Sequence, residues 1–120
     1  MAAAHRKLDN LGVIVDNNDL QIDGRVGEVM SPYPIVDKLA AFGFAVQAID
    51  GHDFDAIEAA FEKAKATKGQ PSAIVIKTIK GKGVSFMEDQ AGWHGTAPND
   101  AEYEQAMGEL NAKLAEVEAM

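Results

Sequence analysis

Two short runs are apolar at nearly every position, residues 11–15 (Leu-Gly-Val-Ile-Val) and residues 72–76 (Ser-Ala-Ile-Val-Ile), and they limit the fold more than any other feature. A strand with one wet face alternates apolar and polar side chains, whereas a strand covered on both faces reads as a continuous apolar run. The first run is therefore expected to be a strand covered on both faces of a parallel sheet, and the second a buried strand likewise. Between the runs, Pro34 can open a helix to Phe42, with Ile35, Leu39 and Phe42 at helical spacing and Gly43 where a C-cap glycine belongs. Residues 44–49 read as a short strand ending at Asp50-Gly51-His52-Asp53. Asp53 is placed to cap a helix with Phe54, Ile57, Phe61 and Ala64 on one face, stopping before Gly69. Successive strand-helix-strand units make the expected fold class α/β, a partial parallel sheet with flanking helices.

The remaining segments are less regular. Residues 1–8 are alanine-rich and end in His5, Arg6 and Lys7, cations that favour a helix C-terminus, but no capping residue precedes them. Residues 24–33, with Gly24, Gly27 and Pro32 as breakers, read as a connecting loop. Residues 80–98 keep no sustained period of either kind, and loops of that length are usually functional or disordered. Asn99 then caps a last helix, with Glu102 at the capping-box position. Its stripe of Tyr103, Met107, Leu110, Leu114 and Val117 reads as a face that packs against the body or a partner.

At 120 residues the chain is one domain at most. Hydrophobic residues at 47% and charged residues at 25% are ordinary for a globular protein, so a core is expected. The formal net charge of −8 argues against nucleic acid or anionic membrane as a nonspecific partner, although Lys77, Lys80 and Lys82 make a local basic patch. No cysteine occurs, which removes disulfides and thiolate metal sites and fits a cytoplasmic protein. No window approaches the apolar span of a signal peptide core or a membrane helix.

Chemistry concentrates where the first strand ends. Asp16, Asn17, Asn18 and Asp19 interrupt the apolar run, and in parallel sheets ligands collect at the carboxyl ends of strands. Hard oxygens and amides at that point suit a magnesium ion holding phosphate groups, while the same residues also suit a plain turn.

Asp16-Asn-Asn18 followed by Leu-Gln-Ile-Asp-Gly24 resembles the second half of the thiamine diphosphate and magnesium motif of transketolases. Asp50-Gly-His-Asp53, Lys77-Thr-Ile-Lys-Gly-Lys-Gly83, Gly92-Trp-His-Gly95 and Ala97-Pro-Asn99 match in the same order, so the resemblance runs from Met1 to about Leu110. It implies residues 1–120 as the C-terminal part of the diphosphate-binding domain, with residues 80–98 as an active-site loop and 99–118 as a C-terminal helix. It also implies Asn18 and the Leu20 carbonyl as magnesium ligands, Ile22 packing by the thiazolium, and Lys80 as a charge near phosphate. His94 becomes the catalytic proton carrier beside the sugar's carbonyl end. His52 reads as structural, and Lys77 and Lys82 carry no assigned role.

The family's motif opens with Gly-Asp-Gly, which occurs nowhere in this sequence. The resemblance therefore implies part of a transferase that moves a two-carbon ketol unit between sugar phosphates. By itself the chain is expected to be inactive, a fragment or truncated subunit with Met1 an internal methionine of the family. Its implied partners are the remaining domains or a second subunit, within a homodimer of the complete enzyme. The alternatives are a noncatalytic interaction module of the same fold and a fragment of another thiamine diphosphate enzyme such as 1-deoxyxylulose-5-phosphate synthase.

Overall fold

The computed structural model describes all residues from Met1 to Met120, and the chain divides into two compact units. The first comprises Met1–Asn18 and Met30–Thr78, and the second comprises Asp19–Val29 and Ile79–Met120.

The first unit is a three-stranded parallel sheet of β1 (Gly12–Asn17), β4 (Ala45–Asp50) and β5 (Ser72–Lys77), in the order β1-β5-β4. The β-branched runs Val13-Ile-Val15 and Ile74-Val-Ile76 suit a pleated surface. The expectation of two covered faces holds for β5, where Ser72 to Val75 are all buried. It fails for β1. That strand lies at the sheet's edge and alternates exposed and half-buried residues, leaving Ile14 53% exposed. A continuous apolar run reports β-branched chemistry, and whether both faces are covered depends on what packs against them.

Helix α1 (Ala2–His5) precedes β1, and α3 (Ile35–Ala41) follows Pro34, the residue just before its first turn. Gly43 has φ +87°, and a Cβ there would lie 2.8 Å from the Ala4 Cβ, so both backbone and contact demand glycine. Helix α4 (Phe54–Ala66) begins at Asp53, whose carboxylate accepts from the N–H groups of Asp55 and Ala56, as its spacing predicts. The expected face turns inward only in part: Ile57 and Ala64 are half-buried, but Phe54 is 86% exposed and Phe61 is exposed, while Ala60 is buried. Gln47 on β4 donates from Nε2 to the Ala60 carbonyl at 2.9 Å, which ties the helix to the sheet at the buried Ala60. Burying Ile74 and Val75 contributes about 1.5–3 kcal/mol each, which makes β5 the centre of this unit.

The second unit holds a hairpin of β2 (Leu20–Gln21) and β3 (Gly24–Arg25), then α2 (Val26–Val29). The expected plain loop over 24–33 is therefore partly regular, because Ile22-Asp23 forms a two-residue turn and Gly24 takes φ +135°. Helix α5 (Asp100–Glu118) carries the full capping box expected of Asn99 and Glu102. Its cover is confined to the neighbourhood of Ala106: Ala106 is buried and Met107 half-buried, whereas Tyr103, Leu110, Leu114 and Val117 of the expected packing stripe are exposed. No helix is long and apolar enough to cross a membrane.

Candidate functional site

In the first unit, the register aligns Asn17 with Lys77 and Lys77 with Asp50, so three polar residues close the carboxyl end of the sheet. Acidic and amide groups that the sequence offers as ligands are engaged within the fold, Asp16 and Asn17 among them. The Thr78 hydroxyl donates to Asp16 Oδ1, and the Tyr33 hydroxyl donates to Asn17 Oδ1 at 3.0 Å. Asn18 is half-buried at the end of this segment. The Asp50-Gly-His-Asp53 stretch is a structural turn, in which Asp50 Oδ1 accepts from the His52 N–H at 2.9 Å and Gly51 donates to the Lys77 carbonyl at 2.8 Å. A Cβ on Gly51 would lie 2.6 Å from Thr78 Cγ2, so the turn tolerates no side chain there.

The second unit contains the other sequence-predicted residues. Leu20 lies in β2, and Ile22 tops the hairpin turn with 66% of its surface exposed, so it is not a core isoleucine of this chain. Lys80 opens a closed loop: the Asp89 N–H donates to its carbonyl at 2.9 Å, and the Val84, Met87 and Glu88 N–H groups bond back within the loop. Gly81 has φ +72°, and a Cβ there would sit 2.6 Å from the Met87 carbonyl oxygen. Lys82 is drawn to Glu88 at 3.8 Å, while the Lys80 ammonium enters no ion pair.

His94 is exposed at the end of a 3₁₀ turn, Ala91–His94. The turn is held from inside. Trp93 donates from Nε1 to the Phe86 carbonyl at 3.2 Å and meets the Phe86 ring edge to face, centroids 5.5 Å apart. Thr96 Oγ1 donates to the Gly92 carbonyl at 2.9 Å. Residues 80–98 are thus fixed by turns and side-chain contacts without helix or strand periodicity, the reason their order was illegible in the sequence. Strand β2 packs against this turn, which brings the hairpin of Leu20 and Ile22 beside the turn of His94.

Arg25 and Asp89 escaped the sequence reading. The Arg25 guanidinium grips Asp89 with two parallel bonds, one at 2.9 Å, and also reaches Asp19 at 3.5 Å. This pairing raises the Arg25 pKa and lowers that of Asp89, through the hydrogen bond first. No signal at a separation of 64 residues could have paired them. No group of three or more His, Cys, Asp or Glu side chains is placed to hold a metal ion. A cavity of about 450 Å³ in the first unit, lined by Leu11, Gly12, Phe61, Ala64, Lys68 and Ser72 among others, lies at the amino ends of β1 and β5 and includes none of the motif residues.

Known proteins resemble this chain over nearly its whole length. It is 44% identical over 110 residues to the 6-deoxy-6-sulfo-D-fructose transketolase subunit SqwG of a Clostridium species, covering 92% of this chain and 40% of that one. To one of the apulose-4-phosphate transketolase subunits of Phocaeicola vulgatus it is 39% identical over 118 residues, 98% of this chain and 42% of the relative. The chain thus spans about two fifths of the length of these relatives. The crystal structure of transketolase from Campylobacter jejuni superposes with a TM-score of 0.84 at 32% identity, covering 92% of this chain and 17% of that one. Residues 1–116 match the family model described as transketolase, thiamine diphosphate binding domain, and on these grounds the chain belongs to the transketolase thiamine diphosphate-binding domain family.

Proposed function

We propose that this chain is the C-terminal part of the diphosphate-binding domain of a transketolase, which moves a two-carbon ketol unit between sugar phosphates. The observation that carries the proposal is the packing of β2 against the Ala91–His94 turn, which supports one site for Ile22 and His94. The donor chemistry fits the cofactor. Asn18 through its side-chain oxygen and Leu20 through its carbonyl offer the hard neutral oxygens that magnesium accepts alongside diphosphate and water. Gln21, between Leu20 and Ile22, buries an Nε2 donor with no acceptor in the chain, which suits an anionic ligand at this hairpin.

Thiamine diphosphate supplies, when bound, an electron sink for the transferred unit. Ile22 shields the thiazolium from water, Lys80 sets a point charge near phosphate, and His94 holds or delivers a proton at the sugar's carbonyl oxygen. The relatives' names point to substrates that are ketoses with a terminal anion, phosphate or sulfonate. The word subunit in those names supports a partner that supplies the rest of the transketolase. In this reading the complete enzyme is a cytoplasmic homodimer. The chain alone turns over no sugar phosphate.

Calorimetric titration tests the reading. The magnesium complex of thiamine diphosphate should bind with a dissociation constant of order a millimolar, about 4 kcal/mol, and Asn18→Ala should erase that binding. Binding that needs no magnesium, or that survives Asn18→Ala, would overturn the assignment.

A further inference from the structure

We infer that Arg25 is a positioning residue that ties the β2–β3 hairpin to the loop carrying Lys80 and His94, acting through Asp89. The inference concerns the geometry of the second unit and rests on the proposed roles of Ile22, Lys80 and His94 only for its functional meaning. Three observations lead to it. The first is the fork: the two terminal guanidinium nitrogens each donate to one Asp89 carboxylate oxygen, a planar match that fixes direction as well as distance.

The second is where each end of the fork is anchored. Arg25 is the last residue of the hairpin, cross-strand partner of Leu20, and its other side faces Asp19 on the approach to β2. Asp89 donates its backbone N–H to the Lys80 carbonyl, so a grip on Asp89 holds both ends of the 80–89 loop at once. The 3₁₀ turn of His94 starts just beyond, with the Gln90 N–H donating to the Met87 carbonyl.

The third is conformational. Asp19 and Asp89 both have left-handed backbones, φ +61° and +58°, which aspartate tolerates better than most residues but still at a cost. Bonds to Arg25 from both carboxylates offset that cost and select these conformations from the alternatives open to a loop. An exposed ion pair by itself contributes little to global stability, so the effect of Arg25 should be local order rather than melting temperature.

The experiment is residue-resolved amide hydrogen exchange on the wild-type chain and on Arg25→Gln, Asp89→Asn and the double variant, without cofactor. Asparagine keeps the left-handed preference at 89, so that change removes only the fork. Each single variant should speed exchange at residues 80–95 by about tenfold while leaving Ala73, Ile74 and Val75 on β5 unchanged. The double variant should again give about tenfold, not about a hundredfold, because both changes break one link. Trp93, the only tryptophan, should become more accessible to acrylamide quenching in all three. Unchanged exchange at 80–95, equal acceleration in β5, or multiplicative effects in the double variant would each overturn the inference. None of these readouts involves cofactor or turnover, so failure here is separable from failure of the transketolase reading.

Discussion

Glu109 on α5 accepts three hydrogen bonds, two of them from the 80–98 loop. The Ser85 hydroxyl and the Ser85 N–H both donate to its carboxylate at 2.6 Å, and Gln105 donates from Nε2 at 3.0 Å. These bonds favour the charged form and lower its pKa from 4.5 to about 2, with Lys113 adding a smaller Coulombic pull. A depressed carboxylate pKa stabilises the fold fully above 4.5, and the contribution fades as pH falls from there towards 2. Asp89, lowered by its bond to Arg25, acts with the same sign. Glu109→Gln should therefore lower the thermal midpoint at pH 7 and flatten, in part, its decline below pH 4.5, as followed by Trp93 fluorescence. An unchanged pH profile would mean that Ser85 and Glu109 do not hold the loop to α5. Sequence made the motif residues visible one by one, through Asn18, Ile22, Lys80 and His94. Their internal supports were hidden, because Ser85 and Glu109 or Arg25 and Asp89 meet only once the chain has folded.

At the scale of elements, legibility followed periodicity. Asp53 and Asn99 cap their helices as their positions predict, and the parallel sheet follows from alternating strand and helix patterns. The α4 face was read correctly at Ile57 and Ala64 but not at Phe54 and Phe61, because small Ala60, not either phenylalanine, is the residue buried on the helix. The 80–98 segment offered no period because turns, glycines and one aromatic pair order it. Gly81 tests this account. A side chain there must accept φ +72° and displace the Met87 carbonyl, so Gly81→Ala should destabilise the second unit by about 1 kcal/mol or more. Denaturant titration read at Trp93 should show the loss, and a midpoint equal to wild type would contradict the closed loop.

Across the whole molecule, apolar surface is left open on β1, where Ile14 is exposed, and on α5, where Leu110, Leu114 and Val117 are exposed. Open strand edges and apolar patches promote association. The isolated chain should therefore show a concentration-dependent thermal transition below about 65 °C, the upper end for mesophilic domains. A sharp transition above that, the same at every concentration, would mean that these surfaces are not sticky. The central claim, that the two motif stretches serve one cofactor, is tested most directly by titrating the isotope-labelled chain with thiamine diphosphate and following its amide and imidazole resonances. The account predicts shifts at Asn18, Leu20, Ile22 and His94 that appear only when magnesium is present and are lost in Asn18→Ala. Shifts confined to the cavity around Phe61 and Ser72, or shifts that ignore magnesium, would contradict it.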